Sequence, residues 1–545
     1  MNHLIKVKRP GRFLFFLLSW IICLVIPTTI SAFTLVDGDK VYKQYSEKNA
    51  VYGGIWRIPT GEPRSLDPHQ ETYANTTAVT LQTNNGLLRF NQTMDGVELD
   101  LAESWRQIDD VTYEFKIHKG VRFHDVPPVN GRELTSADVK YSIERIAGMH
   151  GKKAKFKHSY YFDGKIASID TPDKYTIIVK TNKPFAPFIY YISSPWSAIV
   201  AEEVVDKYGD LKRKAIGTGP FILKEYVKGS HWTLVKNPNY FRKGKPYLDG
   251  IHAKFITNPQ AILSAFLAKE VDSTGLYFFH LDTLKEKAKD AILSKREGTH
   301  MWTLRFQPWI AEKKPLKKPF DDKRVRQAIA MAIDKKKLLK LAWGGFGTPQ
   351  IGPVPTSVRH SLTYKDQVEY NPQKAKKLLA EAGYPNGFTV ELMTWNLPYI
   401  STPAIIIQEM LEEVGITIKL NLMEMAQYFN KAYRFEYDMA LHIMTAGVDP
   451  EEWLVPYFGK LDKSTFYKWS NPDIWDMIEK QSYIMDPKKR GPYIKKIQRT
   501  IIEECPNVFL YTQYRYTVRR PYMHVKYYEL DFQPIFGEFV WMEKH

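Results

Sequence analysis

"FTVELMTWNLPYISTPAIIIQEMLEEVGITIKLNL" (residues 388–422), followed by "YDMALHI" (437–443), is the stretch whose reading decides the fold. "FTVELMT" (388–394) and "ITIKLNL" (416–422) alternate apolar and polar residues, the pattern of half-buried strands. Between them Ala404 to Val414 reads as a helix stopped by Gly415. A second helix spans roughly Ala426 to Ala432, and "YDMALHI" is a third strand. The order β-α-β-α-β indicates α/β layers. In such sheets ligands bind beyond the carboxyl ends of the strands. Two loops leave those ends: "WNLPYI" (395–400) and "TAGVDPEEW" (445–453).

Upstream, "PFDDKRVRQAIAMAIDKKK" carries an apolar stripe of Val325, Ala328, Ile329, Ala332 and Ile333. Asp321 and Asp322 stand at its start and Lys335 to Lys337 at its end, which suits a helix dipole. "NPQKAKKLLAEAGYPNG" predicts a helix with Asn371 as N-cap, Pro372 in the first turn and Gly383 past the end. Earlier still the chain is strand-rich. "TYEFKIHKGVRFHD" reads as a hairpin turning at Lys119-Gly120, and "KYTIIVK" (174–180) as a strand. Thr135 with Asp138 three residues on predicts a capped helix start.

The chain has 545 residues, 44% hydrophobic and 25% charged, a globular composition. Its start differs. Lys6, Lys8, Arg9 and Arg12 precede an apolar run from Phe13 to Ile26, and small residues end at Ser31 and Ala32. This is the layout of a secretory signal peptide over residues 1–32, with cleavage expected after Ala32 or, alternatively, Ser31. The run is short for a spanning helix. Cys23 falls inside it, so the mature chain keeps only Cys505 and no internal disulfide. The formal charge is +17, and removing the four basic residues of the signal leaves +13. The lysines are scattered, and the densest cluster, "KKPLKKPFDDKR" (313–324), is broken by prolines and aspartates. Surface basicity is the expected meaning, with no nucleic-acid partner.

Motifs for enzymes are missing: no HExxH, GxSxG or Walker A, and "GGFGTP" (344–349) lacks dinucleotide spacing. His118 and His124 have no third ligand nearby. No catalytic residue, metal or cofactor is expected.

Ten stretches then appear in a familiar order: "YGGIWRIPTGEPRSLDPH" (52–69), "NNGLLRF" (84–90), "DLAESW" (100–105), "VRFHD" (121–125), "LTSADVKYSIERI" (134–146), "GTGPF" (217–221), "NPNYFRKGKPYLDGI" (237–251), "PFDDKRVRQAIAMAID" (319–334), "AKKLLAEAGYPNGF" (375–388) and "NVFLY" (507–511). With these the chain resembles the extracellular solute-binding proteins of the oligopeptide, dipeptide and nickel type, solute-binding protein family 5, over about Val51 to His545. The resemblance implies an α/β periplasmic binding protein-like fold with two lobes, type II and cluster C-like, with an inserted strand-rich subdomain. The implied segments are lobe I at 33–89, 201–300 and 513–545, the insert at 90–200, and lobe II at 301–512. It implies a periplasmic monomer that captures a peptide or another small-molecule solute by hinge closure and delivers it to an ABC permease. Alternatives on the same scaffold are an oligosaccharide or other apolar-faced solute, or a sensor or chaperone role.

In peptide-binding relatives an Asp four residues before the Pro of the second loop pairs with the peptide's α-amino group; here that position is Ala446. Asp449, Glu451 or Glu452 substitutes for it, or Asp449 caps the helix that Pro450 begins. The expected lining is Thr72, Tyr73 and Ala74 from lobe I, and Trp302, Phe306, Trp395, Asn396, Met444, Thr445, Ala446, Gly447 and Trp453 from lobe II.

Overall fold

The computed structural model describes residues 34–36, 45–70, 74–150, 156, 158–307, 318–460, 466–467, 469, 471–530 and 535–544. The expected signal peptide, Thr72 and Tyr73 lie outside these residues. No described helix is long and apolar enough to cross a membrane.

The β-α-β-α-β reading forms half of a six-stranded mixed sheet. Phe388–Trp395 is parallel to Ile416–Met423 on one side and to Met439–Met444 on the other. Met301–Phe306 joins antiparallel to Met439–Met444, then Asn507–Gln513 and Gly347–Pro349 complete the order. All six residues of Met301–Phe306 are buried, as befits a strand covered on both faces. The helix Pro398–Glu412 packs on the two parallel strands. It starts six residues earlier than expected because Pro398 supplies its first turn. The helix Pro372–Glu381 has the expected cap, Asn371 accepting from Lys374 N–H, and Gly383 takes φ +93° past its end.

One helix reading needs correction. Lys335 to Lys337 do not close the Val325 helix. That helix runs Lys323–Ala332, and Asp334 then caps a separate helix, Lys335–Trp343, accepting from Lys336 N–H and Lys337 N–H. An Asp placed just before three lysines is a stronger local start signal than the continuing apolar stripe.

The other lobe holds two four-stranded sheets. One joins Ile55–Thr60, Gly250–Phe255, His231–Lys236 and Phe221–Val227; the other joins Thr34–Val36, Ile292–Arg296, Arg515–Arg519 and Ser273–Leu276. Distant stretches of chain, Arg515–Arg519 included, thus pair in these sheets, and two separate apolar clusters accompany them. Inserted in the chain between Ile55–Thr60 and Phe221–Val227 is a unit, here termed the meander unit, of two antiparallel hairpins paired edge to edge in the order Ala102–Asp109, Thr112–Ile117, Thr176–Thr181 and Ile166–Asp173. Its apolar cluster extends from Leu87 to Ile216. The helix Ser136–Ala147 packs on it, with Thr135 N–H donating to Asp138 Oδ2 at 2.9 Å, as the capping pattern predicts.

The expected hairpin at Lys119-Gly120 does not form. Thr112–Ile117 pairs with Ala102–Asp109 and Thr176–Thr181 instead, and Val121–Phe123 makes one isolated bridge, Arg122 to Glu133. Val121 and Phe123 are nonetheless buried: alternation marks the buried face, not the partner strand. The "GTGPF" glycines allow close approach. A Cβ on Gly219 would meet the Thr83 backbone at 2.4 Å. His124 fixes this turn, its backbone N–H donating to Gly217 O at 2.8 Å and its Nε2 lying 3.1 Å from Gly219 O. Burial pushes this imidazole down to about 4, so it stays neutral as a structural element. Among the described residues no cluster of three or more His, Cys, Asp or Glu is arranged to hold a metal.

Candidate functional site

Because Phe388–Trp395 and Met439–Met444 are parallel neighbours, their following loops leave the same edge of the six-stranded sheet. At that edge Asn396 and Thr445 are exposed and Ala446 is half-buried. The backbone there is pinned. Asn396 N–H donates to Met423 O at 2.8 Å. Tyr457 Oη accepts from Thr445 N–H and donates to Thr445 O, both at 3.0 Å.

The same edge touches the other lobe in two places. Tyr399 meets Tyr277, ring centroids 5.0 Å apart, and Tyr277 stacks on Phe279 at 5.3 Å. Phe278 reaches Trp343 at 5.5 Å and Phe346 at 5.9 Å. On the other flank Val448 enters an apolar cluster with Leu81, Phe90, Tyr528, Phe536 and Phe539. Two residues separate Asn396 from Tyr399 and one separates Ala446 from Val448, so the loop residues are bracketed by inter-lobe contacts. In the other lobe Ala74 opens the helix Ala74–Thr83 and is exposed. That helix contributes Ala78 and Gln82, and the strand leading to Tyr277 contributes Thr274 and Gly275, to a cavity of about 210 Å³. Arg296 is its one charged lining residue among those described, with Nη1 donating to Tyr528 O and Leu530 O.

Five of the expected lining residues are placed elsewhere. Trp302, Trp395, Phe306, Met444 and Trp453 are each at most 4% exposed. Trp302 packs on Trp395 at 5.7 Å, and Trp395 on Tyr428 at 4.5 Å. Phe306 packs on Phe320 at 5.0 Å. Met444 and Trp453 share a cluster with Met301 and Tyr457, and Trp453 Nε1 donates to Gly447 O at 2.9 Å. The reason is architectural. Trp302, Phe306, Trp395 and Met444 lie within strands of a sheet covered on both faces, and Trp453 lies on the helix Pro450–Phe458 that packs against it. Gly447 is also buried, and the space for a Cβ there is filled by the Glu452 carboxylate. Asn396, Thr445 and Ala446 are at the edge, and Ala74 is exposed at the start of the helix Ala74–Thr83. The aromatics that do reach the inter-lobe contact, Tyr277, Phe279 and Tyr399, were missed. The signal for Tyr277 and Phe279 is "GLYFFH" (275–280), three aromatics directly after a strand, while Tyr399 lies in the "WNLPYI" loop (395–400), outside the expected lining.

The acids of "DPEEW" have structural partners. Asp449 caps the helix Pro450–Phe458, accepting from Glu451 N–H at 2.9 Å. It also forms a bidentate pair with Arg490, at 2.8 and 2.7 Å. Burial raises this carboxyl's pKa, but Arg490 outweighs it and holds the group below its ordinary value. Glu451 accepts from Lys165 Nζ at 3.1 Å, Gln481 Nε2 at 3.1 Å and Ser482 Oγ at 2.7 Å. Glu452 accepts from Tyr161 Oη at 2.5 Å. Burial pushes the Glu452 carboxyl up to about 8; Tyr161 lowers it in part, and Asp449 and Glu451 add to the rise. Tyr161 and Lys165 belong to the meander unit, so this helix is a seam between that unit and the second lobe.

Known proteins share this construction. Residues 96–465 match the bacterial extracellular solute-binding proteins, family 5 (middle region). The chain is 29% identical over 479 residues to di/tripeptide-binding protein 1 of Pseudomonas aeruginosa (strain UCBPP-PA14), covering 82% of this chain and 86% of that one. It superposes on the ABC transporter-associated periplasmic binding protein DppA of Helicobacter pylori, in complex with the peptide STSA. The TM-score is 0.80 at 26% identity, over 91% of this chain and 99% of that one. It superposes likewise on AgaA in complex with agropinic acid, from A. tumefaciens R10, with a TM-score of 0.77 at 26% identity over 90% and 99% of the two chains. With a two-lobed α/β fold and a family match over most of its length, this chain belongs to the bacterial extracellular solute-binding proteins of family 5, transport components and not enzymes.

Proposed function

We propose that this chain captures a peptide or peptide-like solute between its two lobes, closes on it, and presents the closed form to an ABC permease. The observation that carries this reading is the shared sheet edge. There Asn396 and Thr445 are exposed and Ala446 is half-buried between two inter-lobe contacts, and Ala74 is exposed in the other lobe. Thr72 and Tyr73 precede Ala74 and complete the proposed lining. A ligand bridging such an edge favours the closed population by its differential affinity for it. The peptide reading draws support from the peptide-binding relatives. We place the protein in the periplasm as a monomer, released after Ala32 or Ser31, with segments 33–89, 201–300 and 513–545 as lobe I, 90–200 as the insert and 301–512 as lobe II.

A second reading has a specific observation behind it. Ala446 offers no charge, and Asp449, Glu451 and Glu452 are committed to partners inside the protein. No carboxylate of this loop is left for an α-ammonium, whose burial unpaired is unfavourable. A solute with a blocked or absent α-amine fits this edge better than a free peptide amine. Thermal-shift titration with matched pairs of free and N-acetylated di- to tetrapeptides tests both readings. Stabilisation by peptides supports the first, and preference for the acetylated partner supports the second. A peptide panel that leaves the melting temperature unmoved contradicts peptide capture.

A further inference from the structure

A separate cavity lies away from the inter-lobe edge, on the seam between the meander unit and the second lobe. Its volume is about 340 Å³, within the range of small-molecule sites. Tyr160 and Phe185 from the meander unit face Val455, Trp475 and Ile478 from the helices Pro450–Phe458 and Pro472–Ser482. The walls are therefore mainly aromatic and apolar, and the rim is charged.

The acids of that rim are matched. Glu451 already accepts from Lys165, Gln481 and Ser482. Glu479 accepts from Lys460 Nζ at 2.6 Å and Tyr483 Oη at 2.7 Å. Asp163, the remaining acid, is also engaged. Lys183 is different. It is exposed, its Nζ stands 4.9 Å from the centre of the Tyr483 ring, and it forms no ion pair among the described residues. Lys183 acts on the Glu479 carboxylate only through its charge, so among the described residues it is the rim cation with no carboxylate in direct contact.

We propose that this seam cavity is a second ligand site, taking a small carboxylic acid with a flat apolar body. The carboxylate meets Lys183, and the body lies between Pro184 and Trp475, both half-buried lining residues; the Phe185 ring is already covered by Lys165, whose Nζ stands 4.0 Å from its centre. Those walls come from different units, and Ala186 N–H already donates across the seam to Ser482 O at 2.8 Å. An occupant touches both sides only when the seam is joined, so it favours that state over a parted one.

The test is calorimetric titration of the purified protein with 3-phenylpropionate, with 3-phenylpropylamine and 3-phenylpropanol as probes of equal size. The acid binds once per chain, with a Kd of about 1 mM or tighter, and more strongly than the amine. Lys183→Glu weakens it about tenfold, the scale of one charge-assisted hydrogen bond. Because Lys183 is exposed, that variant keeps the wild-type melting curve. Val455→Trp, which fills the cavity, abolishes binding. No binding of the acid, equal binding of the amine, or an affinity untouched by Lys183→Glu overturns the proposal; the last result would place the acid in another site.

Discussion

The second lobe meets the rest of the molecule along two borders of opposite character. At the sheet edge the contacts are aromatic and apolar: Tyr277 on Tyr399, and Val448 among Leu81, Phe90 and Phe539. Phe279 there remains 45% exposed. At the meander seam the contacts are carboxyl groups taken out of water, with Glu451 and Glu452 each 1% exposed and each bonded across to the meander unit. The rings of Tyr277, Phe279 and Tyr399 are half-exposed and part with little loss, whereas Val448 and its partners are buried; the edge between these two flanks leaves backbone and side chains for a solute. A border of buried acids is unfavourable unless every partner stays in place. The first suits reversible capture and the second suits assembly, although a few residues separate Thr445 from Glu451.

Substitutions sharpen this contrast. The largest effect belongs to Trp453, fully buried beneath the edge. Trp453→Ala lowers stability by about 3–5 kcal/mol through the cavity it leaves and also orphans Gly447 O. Urea unfolding reads this, and a variant of wild-type stability with weakened solute binding would return Trp453 to the cleft wall. Arg490→Met follows. It leaves Asp449 buried without its counter-charge, a loss of about 3 kcal/mol, again measured by urea unfolding. A loss below about 1 kcal/mol, the size of an exposed pair, would mean that the ion pair is open to water.

What the sequence makes legible follows the same division. The strands at Phe388–Trp395 and Ile416–Met423 and the caps Asn371 and Thr135 were readable, because local alternation and capping chemistry depend on neighbours in the chain. The positions of Trp302, Trp395 and Trp453 were not, because a large aromatic at a strand end serves a core and a cleft equally well until the covering helices are known. Tyr277 and Phe279 escaped notice for the converse reason. Their value depends on Tyr399, more than a hundred residues away. The acids of "DPEEW" were half legible: the cap is local, whereas Lys165 and Tyr161 are brought in by the meander unit.

Glu452 gives an intermediate effect that depends on pH. Its carboxyl stands at about 8 in the fold against an ordinary 4.5, so the folded state binds the extra proton between those values. Its contribution is fully present below about 4.5 and is lost as pH rises through about 8, at up to about 1.4 kcal/mol per pH unit. Asp449, held below its ordinary value by Arg490, has the opposite sign: its contribution is present above that value and lost in acid. Glu452→Gln therefore changes stability by under about 1 kcal/mol near pH 5 and flattens the alkaline fall. Urea titrations at several pH values check this, and an unchanged slope would show that the carboxyl is ionised throughout.

The smallest effect on stability is that of Phe279→Ala, within about 0.5 kcal/mol for an exposed side chain. Its consequence falls on the edge, where solute affinity drops while the melting temperature holds. If the melting temperature instead fell as far as for Trp453→Ala, the edge would be a fixed interface like the seam.

The central claim is that the edge captures a peptide-type solute. Native mass spectrometry of the protein purified from its own cells, followed by denaturation, tests it most directly. The account predicts a released set of peptide masses, including blocked peptides. A single non-peptide mass would contradict it and would identify the solute that the edge accepts.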